Sequence, residues 1–390
     1  MKVLFLIGTL GKKIYHVGDE AMIKAEIGAV RKIRPEIKIS VFAGDIAFAK
    51  KEMHVDAILK PRTGQKNSNL LYGAWYVINA FIMRYLKITL LFERERKALQ
   101  KINESDVIVV NGGGHFNSHF FHTIMYLGAN ILVGKIFQKK VVAICQTIGP
   151  FNNKLSKIAS KFFLNKIDII TVRDKNDSIK TLQKLNVKTK TISSIDDAYF
   201  FKHAGKNRGK ELLKKNGVNL NNPIIGLSLH DFEGIENNKI QKFVSEIAEK
   251  TNSQIVLISN LFPKHDLEYA KELKKRLPTS KLFVLPGLLC DDFGAVISCI
   301  DFMVSSRYHS LVFACSNNIP CLGVAKNKYY QQKLGGLLEW TGLQKNVVKL
   351  GESFPKEIFK DKKEIQKKLE EANKKLKKVE FKNAQIIVNG

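Results

Sequence analysis

Acidic residues are scarce in this chain. The 390 residues hold 36 Asp and Glu against 64 Lys and Arg, a formal charge of +28. Such an excess attracts something anionic: nucleic acid, an anionic membrane face or a phosphorylated small substrate. The aromatic-interleaved basic motifs of RNA readers are missing, so no nucleic-acid partner is expected. Much of the surplus is lysine scattered over helical stretches such as 210–215 and 356–378. Cysteine is sparse too. Cys145, Cys290, Cys299, Cys315 and Cys321 are odd in number, form no C-x-x-C and lie mostly in apolar runs. They read as buried thiols of a reducing cytoplasm.

No uninterrupted apolar run reaches the roughly 20 residues needed to cross a bilayer. The nearest candidate, 70–92, is broken by Arg84 and Lys87. It is either a buried helix or one lying in a membrane interface, where aromatic and basic residues mix. The opening 1–8 is too short for a signal segment and reads as a first buried strand. Nucleotide fingerprints are absent as well. The loop after that strand has neither the P-loop pattern nor the glycine spacing of a dinucleotide site.

What is present is alternation. Short apolar runs at 3–7, 39–42, 107–110, 141–145, 169–172 and 191–193 are separated by helical patterns. So are those at 224–229, 254–259, 281–285, 302–304 and 321–324. Buried strands alternating with helices predict an α/β fold with parallel sheets covered on both faces. The polar stretch 200–222, rich in Lys, Asn and Gly, suits a boundary between two α/β halves. Residues 356–378 carry Glu/Lys pairs at helical spacing and few large apolar residues, which predicts an exposed C-terminal helix.

The most informative motif is Ser306-Arg307-Tyr308-His309, between the strand pattern ending at Val304 and a helix continuing through Cys315. A strand-to-helix turn gathers unpaired N–H groups and the positive end of the helix dipole. It attracts anions, and the Arg fork adds bidentate recognition of carboxylate or phosphate. A neighbouring His can exchange a proton near neutral pH. The plainer alternative pairs Arg307 with a local carboxylate and makes His309 a satisfied core residue. In the first loop, Gly18 lets backbone approach a ligand. Asp19 is either a helix cap or a general base or sugar-hydroxyl acceptor. After 107–110, Gly112, Gly113 and Gly114 suggest a flat surface for a ligand, with His115 next to it. His115 and His119 stand one helical turn apart, but no carboxylate intervenes and the H-E-x-x-H motif is absent, so no metal is expected. Gln146, Arg173 with Asp174, and Asp196 with Asp197 also follow strands. There open α/β sheets bind ligands, although Arg173–Asp174 can be a local ion pair and Asp197 a turn cap.

In order, the chain reads GDEA at 18–21, GGG at 112–114, QTIGP at 146–150, VRD at 172–174 followed by Ser178, DDA at 196–198, SSRYHS at 305–310 and NIP at 318–320. This series resembles the polysaccharide pyruvyl transferase family over about residues 3–345. Lys333, Gly335–Gly336 and 340–342 resemble the family's closing segment. Tyr308, where leucine is usual, and the long first loop with His16 depart from it. The resemblance implies two Rossmann-like doubly wound domains facing a cleft, in the manner of the glycosyltransferase-B fold. The expected division is 1–200 on the acceptor side, 201–350 on the donor side and a helical tail, 351–390. It implies transfer of a pyruvyl group from phosphoenolpyruvate, as donor substrate and without a cofactor, to two hydroxyls of a sugar. The acceptor would be a nucleotide sugar or a lipid-linked glycan. On this reading His309, Arg307 and Asp19 carry the chemistry. Gly18, Gly112, Gly113, Gly114, His115, Gln146, Arg173, Asp197, Ser306 and Lys333 hold substrate. The runner-up is a nucleotide-sugar-dependent glycosyltransferase of the same architecture, and a third class is a non-catalytic glycan- or lipid-binding protein. The place expected is the cytoplasm, with peripheral contact at the anionic inner membrane face. The oligomeric state is not legible.

Overall fold

The computed structural model describes residues 1–6, 14–63, 70–230, 237–277 and 279–389. The front of the first loop, with Gly8 and Gly11, lies outside the described residues. The chain forms two compact units. The first comprises Met1–Lys12, Glu26–Asp197 and Val379–Gly390; the second comprises Lys13–Ala25 and Ala198–Lys378.

The first unit is built on a parallel sheet. Its strands run in the order Asp56–Leu59, Lys38–Ala43, Lys2–Leu6, Val107–Val110, Lys140–Ile148, Ile169–Val172, Lys190–Ser193, with short Gly113–Phe116 paired to Lys140–Ile148. In sequence terms the path runs outward, returns to the first strand and then continues on its other side. That reversal falls between Lys2–Leu6 and Val107–Val110, which pair directly. Continuous β-branched runs such as Val107-Ile108-Val109-Val110 are buried at every position, as strands covered on both faces must be.

The second unit repeats the plan. Its strands lie in the order Leu282–Val284, Gln254–Leu257, Ile224–Ser228, Phe302–Ser305, Cys321–Ala325, Val347–Lys349, all parallel. This is the doubly wound order, with its switch between Ile224–Ser228 and Phe302–Ser305. Phe243, Phe302 and Phe354 anchor the core. Each such ring contributes about 1.5–3 kcal/mol by leaving water. A separate two-stranded antiparallel ladder joins Tyr15–His16 to Leu261–Phe262, and Val17 N–H donates to Asn260 O at 3.0 Å. It ties residues 15–17 into the second unit.

Three expectations need correction. The helix Leu70–Leu86 is not simply a buried helix: Tyr76 and Ala80 are buried, but its opposite face is exposed. The stretch 356–378 is not a single exposed helix. It breaks into Lys356–Lys360 and Lys362–Leu376, and Ile365, Leu369 and Leu376 are buried. Three apolar residues at helical spacing suffice to seat a helix otherwise made of Lys and Glu. Edge strands Asp56–Leu59 and Val347–Lys349 escaped the sequence reading, because apolar runs of two or three residues are too short to mark a strand by pattern.

Candidate functional site

In the second unit the carboxyl ends of the two switch-point strands lead into His230 and into Ser305-Ser306-Arg307. Serine hydroxyls bind the two ends together. Ser305 Oγ donates to Ser228 O (2.8 Å) and accepts from Arg307 N–H (2.8 Å). Ser306 N–H donates to Ser228 O (3.0 Å). Ser306 Oγ accepts from His230 N–H (2.8 Å) and lies 2.9 Å from His230 Nδ1. Arg307 is the cap residue of helix Tyr308–Ser316.

Arg307 does pair with a carboxylate, but a distant one. One terminal nitrogen bonds Asp266, whose other oxygen accepts from the N–H groups of Asn260 (3.2 Å) and Leu261 (3.1 Å). The guanidinium is thus held on a fixed post. Its Nε is buried and meets no partner among the described residues. An unanswered buried donor costs about 1–3 kcal/mol.

The ladder through Tyr15–His16 brings the GDEA motif against this helix start. Gly18 lies face-on to the His309 imidazole; a Cβ there would fall 1.8 Å from His309 Nδ1. Only glycine allows that approach. The rings of His16 and His309 meet edge-on with centroids 5.7 Å apart. Asp19 is not the helix cap. It sits inside helix Val17–Ile33, and His16 caps instead: its Nδ1 lies 3.2 Å from Asp19 N and 3.2 Å from Asp19 Oδ1. Lys333 Nζ stands 5.6 Å from the Tyr308 ring and 5.8 Å from Tyr329, and Tyr330 packs edge-on against His230 at 4.9 Å.

The group is electropositive. Burial pulls the His230 imidazole well below its ordinary pKa, and the charges of Arg307, Lys333, His16 and Lys326 lower it further. His230 is therefore a neutral ring in a cationic field. The sequence reading missed it, although it follows a buried strand as the other candidates do. Asp266 gave no signal, because its role depends on a fold contact with a residue 41 positions away.

The first unit has its own polar centre, of different character. Arg173 is buried and pairs with Asp196 (2.8 Å), not with Asp174, and its Nε donates to Thr147 Oγ1 (2.7 Å). Asp174 instead accepts from Ser178 N–H (2.8 Å). Gln146 is fully buried, and its amide nitrogen donates to Asn111 O (2.5 Å) and Ile144 O (2.8 Å). Asp197 opens a single turn of 3-10 helix, but its carboxylate faces inward. It accepts from Asn383 Nδ2 (2.9 Å) and lies 3.4 Å from Cys145 Sγ. Glu26, which the sequence reading did not single out, completes the cluster by accepting from Asn111 Nδ2 (2.9 Å). Burial raises the Asp197 carboxyl to about 7, with the Asp196 charge adding to it. Burial, then Asp197, pushes Glu26 well above the ordinary carboxylate range. The two acids share their surroundings as a proton-holding pair.

Gly113 adopts φ +150°, and a Cβ there would meet the His115 ring at 2.3 Å. Gly112 is buried, while Gly114 and His115 are half-buried. His115 and His119 do not lie on one helix. His115 lies on strand Gly113–Phe116 and His119 in the turn Ser118–Phe120. Among the described residues, one group of three side chains could hold a metal ion, Glu26, Cys145 and Asp197. The predicted residues thus fall into two groups: Gly18, Asp19, Ser306, Arg307, His309 and Lys333 in the second unit, and Gly112–Gly114, His115, Gln146, Arg173 and Asp197 in the first.

Two doubly wound parallel sheets with flanking helices define a glycosyltransferase-B-like enzyme fold. Solved structures share it. UDP-GlcNAc 2-epimerase from Neisseria meningitidis bound to UDP-GlcNAc matches with TM-score 0.61 and 16% identity, over 100% of this chain and 99% of that one. S. aureus MnaA with UDP matches at 0.63 and 12%, over 95% and 91%. A glycosyltransferase from Rickettsia africae matches at 0.55 and 11%, over 99% and 93%. No curated protein sequence matches the chain. The family model for polysaccharide pyruvyl transferase matches residues 16–327. The chain belongs to that family and is a transferase.

Proposed function

We propose that the protein transfers a pyruvyl group from phosphoenolpyruvate to two hydroxyls of a sugar, forming a cyclic ketal. The observation that carries this is the cationic group around Ser306–His309, where Arg307, Lys333 and Lys326 surround a neutral His230. Phosphoenolpyruvate bears a carboxylate and a phosphate on one small carbon frame. Arg307, preset by Asp266, suits one of them, and Lys333 with the helix N-terminus suits the other.

The methylene carbon takes a proton, creating oxocarbenium character at the carbon bearing phosphate. A sugar hydroxyl attacks there and loses its proton. Phosphate departs with the C–O bonding pair, and the second hydroxyl closes the ketal and gives up its proton. The products are the ketal and hydrogen phosphate. His309 is the proposed acid or the group that balances departing phosphate, and Asp19, beside His16, orients or deprotonates a sugar hydroxyl. The acceptor class is a nucleotide sugar or a lipid-linked glycan.

Phosphate release from phosphoenolpyruvate, measured with a panel of such acceptors, tests the reading. Wild-type release with ketal formation supports it. A near wild-type rate in folded Arg307→Ala or His309→Ala removes that residue from the chemistry. The fold shared with proteins solved with UDP or UDP-GlcNAc supports one competitor, a nucleotide-sugar-dependent glycosyltransferase. Release of a nucleotide rather than inorganic phosphate would select it.

A further inference from the structure

Two helices of the first unit turn their apolar sides outward. Helix Leu70–Leu86 packs on helix Phe121–Ile136, and its Tyr76, Asn79 and Ala80 are fully buried. Tyr76 Oη donates to Asn130 Oδ1 (3.4 Å), and Asn79 Oδ1 accepts from Leu90 N–H (2.8 Å). Tyr76 and Asn79 thus use their polar groups on the buried side. Its outward row is Leu71, Trp75, Ile78, Phe81 and Tyr85, at three- and four-residue spacing on one face. Leu71 is 77% exposed and Tyr85 68%.

Helix Lys154–Leu164 rests on the same helix Phe121–Ile136 and likewise carries large apolar residues on its outward side. Ser156 and Ser160 are buried, and the Phe163 ring lies 2.3 Å from where a Cβ on Gly128 would be. Leu155, Ile158 and Phe162 face out, Leu155 at 71% exposure. An ordinary surface helix shows mainly polar residues to water.

Neither helix contains Asp or Glu. Lys154, Lys157 and Lys161 stand exposed among the outward residues of the second helix. Lys166 Nζ lies 5.5 Å from the Phe162 ring, and the Arg84 guanidinium 5.5 Å from Tyr85. Basic stems along aromatic surface, with charged heads beyond it, match the interfacial zone of a bilayer. Among the described residues no helix is long and apolar enough to cross a membrane.

We infer that the outward faces of Leu70–Leu86 and Lys154–Leu164 form a docking surface for an anionic lipid bilayer, with both helices lying in its interface. A second copy of the chain is a poorer occupant, since it would set the same lysines against each other with no acid on either helix to compensate. An anionic headgroup layer supplies the missing charge.

The test is co-sedimentation of the full chain with phosphatidylglycerol-containing vesicles and with pure phosphatidylcholine vesicles. Each is run at low salt and at about 1 M salt, where the Debye length is about 3 Å. The expected result is binding to the anionic vesicles that largely survives high salt and exceeds binding to the neutral ones. The triple variant Ile78→Glu/Phe81→Glu/Ile158→Glu, melting as wild type, should bind at least about ten-fold more weakly. Leu155→Glu alone serves if the triple variant does not fold, and should weaken binding in the same direction. No sedimentation, complete release by salt, or unchanged binding by a folded variant overturns the proposal. So does a dimer seen by light scattering that the same substitutions dissociate.

Discussion

The two units put polar residues at the same place, the carboxyl ends of strands in a doubly wound sheet, and use them in opposite ways. In the first unit the charges close on themselves. Arg173 answers Asp196, Asn383 answers Asp197, and the Glu26–Asp197 pair is relieved by raised pKa values. In the second unit Arg307 has its acid too, Asp266, but Arg307, Lys333, His16 and Lys326 all bear on one neutral imidazole, His230. Topology thus selects where polar side chains gather. Local charge balance decides whether they seal the structure or hold a ligand.

The comparison can be broken by substitution. The largest expected effect is structural. Arg173→Met removes the guanidinium that faces buried Asp196 and should cost about 3–5 kcal/mol, seen as a lowered denaturant midpoint. A wild-type midpoint would show that the first unit's network is not holding it together. Arg307→Ala also takes a partner from a buried acid, Asp266, which keeps the N–H groups of Asn260 and Leu261, so its distinguishing effect should be on activity. In protein that remains folded, kcat/KM for phosphoenolpyruvate should fall by about 10²–10³-fold, as losing a pre-set electrostatic contact does. Should stability fall and activity persist, the two centres would have to exchange roles.

Gly18→Ala comes next. A methyl group placed 1.8 Å from His309 Nδ1 must push the ring aside, and if His309 is the proposed acid, displacing it by an ångström should cost about 10²-fold. Ketal formation should fall while the circular dichroism spectrum is unchanged. A wild-type rate would dissociate His309 from the chemistry.

A smaller effect is pH-dependent. Asp197 ionises near 7 in the folded chain against about 3.9 in the unfolded one. Between those values the folded state holds the extra proton. This contribution to stability is full below about pH 4 and is lost as pH rises through about 7. Asp197→Asn should flatten that part of a plot of melting temperature against pH, and an unaltered slope would place the proton elsewhere. The smallest effect is expected for Tyr308→Leu, which removes the cation–π contact with Lys333. Tyr308 is buried and Lys333 half-buried, so the contact is worth about 1–2 kcal/mol; because Lys333 keeps the Tyr329 ring, KM should rise only a few-fold with kcat preserved.

Much of this was legible in the chain. The runs around 107–110, 224–229 and 302–304 became strands because short, largely apolar runs suit a sheet buried on both faces. The anion-favouring turn at Ser306–His309 was readable from its position between a buried strand and a helix. His230 followed the same rule and was overlooked. Asp266, Glu26 and Asn383 had no local mark, since each acquires its role from a partner far away in sequence. The outward faces of Leu70–Leu86 and Lys154–Leu164 were hidden differently. Periodicity shows which residues share a face, but not whether that face is turned inward.

Local pattern determined the α/β class, the strand-end location of the polar residues and the family likeness, because backbone geometry and short-range burial act over a few residues. Only tertiary structure decided which charges cancel, which ring lies against Gly18 and which apolar rows remain uncovered. Electrostatic balance and packing are set by neighbours in space, and the chain brings those together only when it folds.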